Sequence, residues 1–333
     1  MDSEIVADAF PFFRIFKDGR VVRFMGTDTV SPSREGPVAS KDVKLDAEAG
    51  LFVRVYLPTL HNNAQKVPVV VYIHGGGFAI ESASSPTYHN YLNLLAEEAN
   101  VICVSVEYRR VPEHRLPVAY DDCFAALQWL SRQAQTQQSP PESEGEGFQA
   151  EEWLLRHADF SSCFLAGDSA GANIVHEMGI RAGEDGRDWG PLGFAGAFLI
   201  HPFFCGEEAI GSELSPEAEV FKKTGDALLG ACLPPGEDKD YPPFNPVGPR
   251  SPSLAKLVFP QLLVIVAGKD GLKDRVILYY EALIKAGKVA HLMIAETETH
   301  VFHLRDLRCA NATQMMKRIS DFIHWIPSSS SSD

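Results

Sequence analysis

Six short, largely apolar stretches recur along the chain, separated by amphipathic segments: 67–73 (VPVVVYI), 101–106 (VICVSV), 162–167 (SCFLAG), 194–200 (FAGAFLI), 261–267 (QLLVIVA) and 290–295 (AHLMIA). Such runs predict strands, with 67–73 and 101–106 buried on both faces. Residues 51–57 (LFVRVYL) alternate instead, which predicts a half-exposed antiparallel strand. Helical spacing marks 86–98, with Pro86 at its start. It also marks about 118–134, with Tyr120, Phe124, Leu127 and Leu130 on one face, and 170–182, which stops at Gly183. Further helices are expected at about 273–286 and 311–325. Strands alternating with helices specify an α/β fold: a mainly parallel sheet with helices on both faces.

Two regions break this rhythm. Residues 201–250 are rich in Pro, Gly and Glu, with one helical stretch near 214–231. A long insertion between two core strands is a natural cap over the strand C-termini, where α/β proteins bind ligands. Residues 1–40 lack a core-strand pattern and could complete that cap. The expected division is an N-terminal cap segment at 1–40, a core at 41–200 and 251–327, a cap insertion at 201–250, and a disordered serine tail at 328–333. Residues 135–151 (QTQQSPPESEGEGFQAE) are read as a mobile surface insertion.

Charge narrows the function classes. The 333 residues carry 30 Lys and Arg against 44 Asp and Glu, a formal net charge of −14. Phosphate backbones and anionic membrane surfaces would be repelled, so neither nucleic acid nor membrane is expected as a partner. The six cysteines are scattered and form no CxxC, so buried free thiols are expected rather than disulfides or zinc ligands. The N-terminal Met1-Asp2-Ser3-Glu4 starts no signal-peptide pattern, and a cytosolic protein is expected.

Two motifs carry chemistry. Gly167-Asp168-Ser169-Ala170-Gly171 is G-x-S-x-G, placed between an apolar strand and a helix, the context that makes it a nucleophile turn. It would expose the Ser169 hydroxyl at a helix N-terminus, where the dipole favours developing negative charge. His74-Gly75-Gly76-Gly77-Phe78 directly follows the 67–73 strand. Its bare glycines can offer N–H donors to a tetrahedral oxyanion, each worth about 3–4 kcal/mol. The donor candidates are the amides of Gly76, Gly77 and Ala170, with His74, Gly75 and Asp168 as scaffold. A phosphate-binding glycine loop is disfavoured, because no Lys follows and no helix starts there.

A serine nucleophile needs a base, and the base needs a carboxylate. Asp270 follows strand 261–267, and His300 follows strand 290–295. Both fall beyond C-terminal strand ends, in the chain order Ser, Asp, His of this architecture. The rivals are Asp274, read as capping the next helix, and His303, read as lining the pocket or the surface. His157, His176 and His201 are read as ordinary structural or surface residues. No cluster has metal-site spacing, and no cofactor is expected.

The motifs His74–Gly77, Tyr108-Arg109 with Pro112-Glu113-His114 and Leu116-Pro117, and Gly167–Gly171 resemble the hormone-sensitive-lipase-like branch of the α/β hydrolases, and within it the plant carboxylesterases. The resemblance covers about residues 8–326. It implies an eight-stranded core with a helical cap, and Ser169, Asp270 and His300 as the catalytic triad. It also implies a carboxylesterase acting on small neutral esters, either plant specialised metabolites or xenobiotics. Two relatives supply the alternatives: a 2-hydroxyisoflavanone dehydratase-like lyase and a non-catalytic gibberellin-type receptor. The receptor lacks the histidine present here as His300. Legume dehydratases often carry Thr and Ala where this chain has Ser169 and Gly77. Arg110-Val111 and Val118 depart from the family's usual Leu-Ala and Ala. The 286–290 stretch (AGKVA) lacks its usual Gly-Trp.

Overall fold

The computed structural model describes residues 4–62, 64–139, 149–184 and 186–325, with the backbone alone for 217–222. The chain opens with three short strands, β1 (Ile5–Ala9), β2 (Phe13–Phe16) and β3 (Val21–Arg23), paired antiparallel as a small separate sheet. Then follow β4 (Val38–Asp46), β5 (Leu51–Pro58), β6 (Val67–Ile73), α1 (Pro86–Glu98), β7 (Ile102–Val106), α2 (Val118–Gln138), α3 (Glu152–His157) and β8 (Ala158–Asp168). The second half holds α4 (Ala170–Glu184), β9 (Phe194–Ile200), α5 (Pro216–Cys232), β10 (Gln261–Ala267), α6 (Lys273–Lys285), β11 (Val289–Ala295), α7 (Phe302–Arg305) and α8 (Ala310–Ile323).

The main sheet has eight strands in the order β11-β10-β9-β8-β6-β7-β5-β4. All neighbours from β7 to β11 run parallel, and β5 and β4 join antiparallel. The period of two along each strand sorts its side chains between two cores. Val69, Val71 and Ile73 face one core with α2, α4 and α6, whereas Val70 and Tyr72 face the other with α1 and α8. Both faces are therefore covered, which is why the apolar runs are continuous.

Four expectations change. β4 carries Lys41, Asp42, Lys44 and Asp46 and had no apolar signature, because an edge strand keeps much of its surface in water. β5 is not half-exposed: Arg54 is buried and paired with Asp42 at 2.6 Å across the β4–β5 register, with Val30 O as a further acceptor. Gly183 does not end its helix, which runs to Glu184; a Cβ there would strike the Lys256 carbonyl. Of the 135–151 insertion, residues 135–138 extend α2, and 140–148 lie outside the described residues, as does the 328–333 tail.

The segment 201–250 contributes a short 3-10 turn (Gly211–Leu214) and α5. The turn is fastened to α6 by Glu213–Arg275 at 2.6 Å and by Ser212–Asp274. α5 packs against β1, and Thr224 Oγ1 donates to Phe10 O at 3.0 Å. Arg23 ties the small sheet to the core through Ala79 O, Val111 O and Glu113. No described helix is long and apolar enough to cross a membrane.

Candidate active site

Four chain segments leave C-terminal ends of parallel strands and meet at one edge of the sheet. They are loop 74–77 after β6, the turn after β8, and the loops after β10 and β11. This is the edge where α/β sheets place their ligands.

The turn after β8 puts Ser169 at φ 51°, a left-handed conformation that side chains seldom adopt. Its amide donates to Ile200 O at 2.9 Å, and its carbonyl accepts from Phe203 N at 2.9 Å and Asn173 N at 3.1 Å. The turn is closed so tightly that a Cβ at Gly171 would strike the Ile73 and His74 carbonyls. The Gly residues of the motif are thus required by space: a Cβ at Gly167 would likewise strike the Ile73 carbonyl.

Ser169 Oγ lies 2.9 Å from His300 Nε2, and His300 Nδ1 lies 2.6 Å from Asp270 Oδ2. With Asp270 ionised, Nδ1–H donates to the carboxylate and Nε2 accepts from the Ser169 hydroxyl. Asp270 also receives the Leu272 amide at 3.1 Å. Burial alone would raise the Asp270 carboxyl, but the His300 charge, the His300 bond and the Leu272 amide outweigh it and hold it below its ordinary value. Burial alone would lower His300. The Asp270 charge and hydrogen bond, with Asp168 adding to them, raise it above its ordinary value.

Loop 74–77 packs directly on the turn that carries Ser169: a Cβ at Gly75 would strike the Asp168 carboxylate. Gly76 (φ 93°) and Gly77 (φ 60°) are left-handed. Among the described residues, no acceptor takes the amides of Gly76, Gly77 or Ala170. His74 is buried; its Nδ1–H donates to Gly75 O at 2.9 Å, and its ring stacks on Tyr108 at 4.2 Å. Burial pushes it down to about 3, so it stays neutral. Asp168 links the two halves. Tyr72 and Tyr88 each donate to it at 2.9 Å, and the Tyr88 hydroxyl accepts the Gly75 amide at 2.7 Å. Burial pushes the Asp168 carboxyl up to about 6 against the pull of those two hydroxyls.

The rivals fall elsewhere. Asp274 lies in the first turn of α6, as expected, but its Oδ2 accepts the Ser212 amide and not one of the helix's own. His303 is buried, edge-on to Tyr91 and His201, not at the surface. His176 is buried and bonded to Tyr279 Oη at 3.0 Å. His157 contacts Gln65 O at 3.4 Å. His201 is the residue that sequence reasoning undervalued. It is buried, and its Nδ1 accepts the amide of Val301, the neighbour of His300, at 3.1 Å. Its position directly after a core strand, as the first residue of the segment that breaks the strand–helix rhythm, was the available signal. All six cysteines are free. Among the described residues, no group of three His, Cys, Asp or Glu is placed to hold a metal ion.

Comparisons with known proteins agree with this architecture. A family model described as alpha/beta hydrolase fold matches residues 70–304, and one described as the carboxylesterase family matches residues 25–112. Tuliposide A-converting enzyme 1, chloroplastic, of Tulipa gesneriana is 42% identical over 326 residues, covering 97% of this chain and 79% of that protein. The 2-hydroxyisoflavanone dehydratase of Glycyrrhiza echinata is 38% identical over 328 residues, covering 96% and 97%. An esterase of Pyrobaculum calidifontis shares the fold at a TM-score of 0.70, with 23% identity and coverage of 88% and 85%. These relatives correct one expectation. The tulip proteins are chloroplastic or, in another case, amyloplastic by name, which goes against the cytosol expected here from the acidic N-terminus. A strand-end serine, histidine and aspartate on an eight-stranded sheet, and matches spanning nearly the whole chain, lead to one conclusion: the chain belongs to the alpha/beta hydrolase fold family, in its plant, hormone-sensitive-lipase-like branch.

Proposed function

We propose that this protein is a serine carboxylesterase that hydrolyses small neutral carboxylic esters, plant specialised metabolites or xenobiotics among them. The observation that carries the reading is the continuous hydrogen-bonded line Ser169 Oγ–His300 Nε2, His300 Nδ1–Asp270 Oδ2. His300 takes the Ser169 proton as Oγ attacks the ester carbonyl. The amides of Gly76, Gly77 and Ala170 receive the developing oxyanion. His300 then returns its proton to the leaving alkoxide, leaving an acyl-enzyme on Ser169. Water, deprotonated by His300, attacks the acyl carbon, and the acid departs as Ser169 regains its proton. Asp270 holds the imidazole in the tautomer this requires and stabilises its charged form.

The described N-terminal segment ahead of β4 and residues 201–250 form the cap in this reading. A carbon attached at Gly77 would come 2.9 Å from Leu228 Cδ2 and 3.6 Å from Phe12 Cε1, so both segments close over the oxyanion loop. The same contact bears on the lyase alternative. An Ala at position 77, as legume dehydratases often carry, would need both a left-handed backbone and a displaced Leu228.

Turnover of p-nitrophenyl butyrate together with fluorophosphonate labelling tests the proposal. Wild-type protein is expected to hydrolyse the ester and take the label at Ser169. Ser169→Ala is expected to lose both, by several orders of magnitude in rate, while melting at the same temperature. A folded Ser169→Ala protein with near-normal turnover overturns the nucleophile. Dehydration of 2-hydroxyisoflavanone without ester turnover would favour the lyase.

A further inference from the structure

The fold places a second histidine behind His300. His201 follows the last residue of β9. Its backbone is left-handed (φ 47°), and its amide donates to Ile265 O of β10 at 2.9 Å, so its anchorage is the sheet itself. Its ring is buried, 5.8 Å from the His300 ring between centroids. Its Nδ1 accepts the Val301 amide at 3.1 Å. Val301 is left-handed as well, also at φ 47°. A β-branched residue is ill suited to that conformation, and it persists only where the surroundings hold it.

Other backbone ties near this point are either upstream or internal to the loop. The Lys269 amide holds Glu298 O at 2.9 Å, two residues before His300. Phe302 N bonds Thr299 O, and Arg305 Nη2 bonds His300 O at 2.7 Å. Among the described residues, the bond that Val301 N donates to His201 is the one that joins the His300–Val301 peptide to a residue held by the central strands.

We propose that His201 is a positioning residue for the ester hydrolysis described above: its Nδ1, by accepting the Val301 amide, fixes the backbone that carries His300 and so sets the distance from Nε2 to Ser169 Oγ. This inference rests on the serine-esterase reading. It requires the His201 ring to be neutral, with its proton on Nε2, because a protonated Nδ1 cannot accept. Burial meets that requirement, holding His201 well below its ordinary value, with the neighbouring His303 and His300 acting in the same direction. The position of the acceptor within the side chain is what matters. Asn can place an amide oxygen near the Nδ1 position, whereas Gln places its polar end nearer Nε2, and Leu supplies none.

The test compares His201→Asn, His201→Gln and His201→Leu with wild type in p-nitrophenyl butyrate kinetics, each with a melting curve. Misplacing a catalytic group by about 1 Å costs on the order of 10²-fold in rate. The Gln and Leu variants are therefore expected to lose about that much kcat with KM within about twofold. The Asn variant is expected to stay within a few-fold of wild type. Equal loss in the Asn and Gln variants at equal melting temperature overturns the proposal, as does wild-type kcat in a folded Leu variant. Should the Leu variant fail to fold, the Asn–Gln pair still decides. A wild-type protein inert toward esters would instead sink the esterase reading, so the two failures are separable.

Discussion

The Ser212 amide donates to Asp274 Oδ2 at 2.6 Å, and the Ser212 hydroxyl accepts the Asp274 amide at 3.1 Å in return. This reciprocal pair fastens the 201–250 segment to the start of α6, only four residues beyond Asp270. Asp270 and Asp274 thus have separate partners: Asp270 faces His300, and Asp274 faces Ser212. Asp270→Asn should lower kcat by about 10⁴-fold, because the amide favours the wrong imidazole tautomer. Asp274→Asn should change kcat far less and lower the melting temperature modestly. Steady-state kinetics and thermal melts of both variants check this; a crippled Asp274 variant beside an active Asp270 variant would reverse the roles.

The pH dependence follows from the direction of the His300 shift. A general base must be unprotonated, so kcat/KM should rise with pH as His300 loses its proton. Asp270 raises His300 above the ordinary imidazole value of about 6.5, so the midpoint should lie above that value. Asp270, held low, remains ionised throughout. A chemistry-limited profile that is flat from about pH 5 to 9 would remove His300 as the base.

Chain-length selectivity should come from Leu228 and Phe12, which converge over Gly77. Acetate and butyrate esters should be turned over with higher kcat/KM than long-chain esters, because the closed segments leave little room for an extended acyl group. Leu228→Ala should shift the optimum toward longer chains. A wild-type kcat/KM that keeps climbing through palmitate would contradict both statements.

Acid stability should respond to His176. It is buried, bonded to Tyr279, and burial pulls it down to about 3. In the unfolded chain it titrates near the ordinary value of about 6.5. Because the folded value is the lower one, its stabilising contribution is present above about 6.5 and is lost as pH falls toward 3. The loss runs at roughly 1 kcal/mol per pH unit. His176→Gln should therefore flatten the decline of melting temperature across this window. Parallel curves for the variant and wild type would show that His176 does not resist protonation.

What the sequence determined by itself was local in origin. Continuous Val- and Ile-rich runs such as 67–73 and 261–267 can be satisfied only between two covered faces, so they report parallel central strands directly. The glycines at 75, 76, 167 and 171 mark places where backbone approaches backbone. Ser169, Asp270 and His300 were legible because each follows such a run, and strand ends in a parallel sheet share one edge. The tertiary structure decided what depends on partners distant in the chain. β4 became a strand through its ladder with β5, although four of its nine side chains are charged. Asp274 was drawn from a helix-capping role to Ser212, and Arg54 could be buried because Asp42 lies opposite. His201 shows the limit most clearly, since its contact with Val301 joins residues 100 positions apart. Periodicity reports which face a residue takes, whereas a hydrogen bond across the sheet edge exists only once two separate strands have been brought into register.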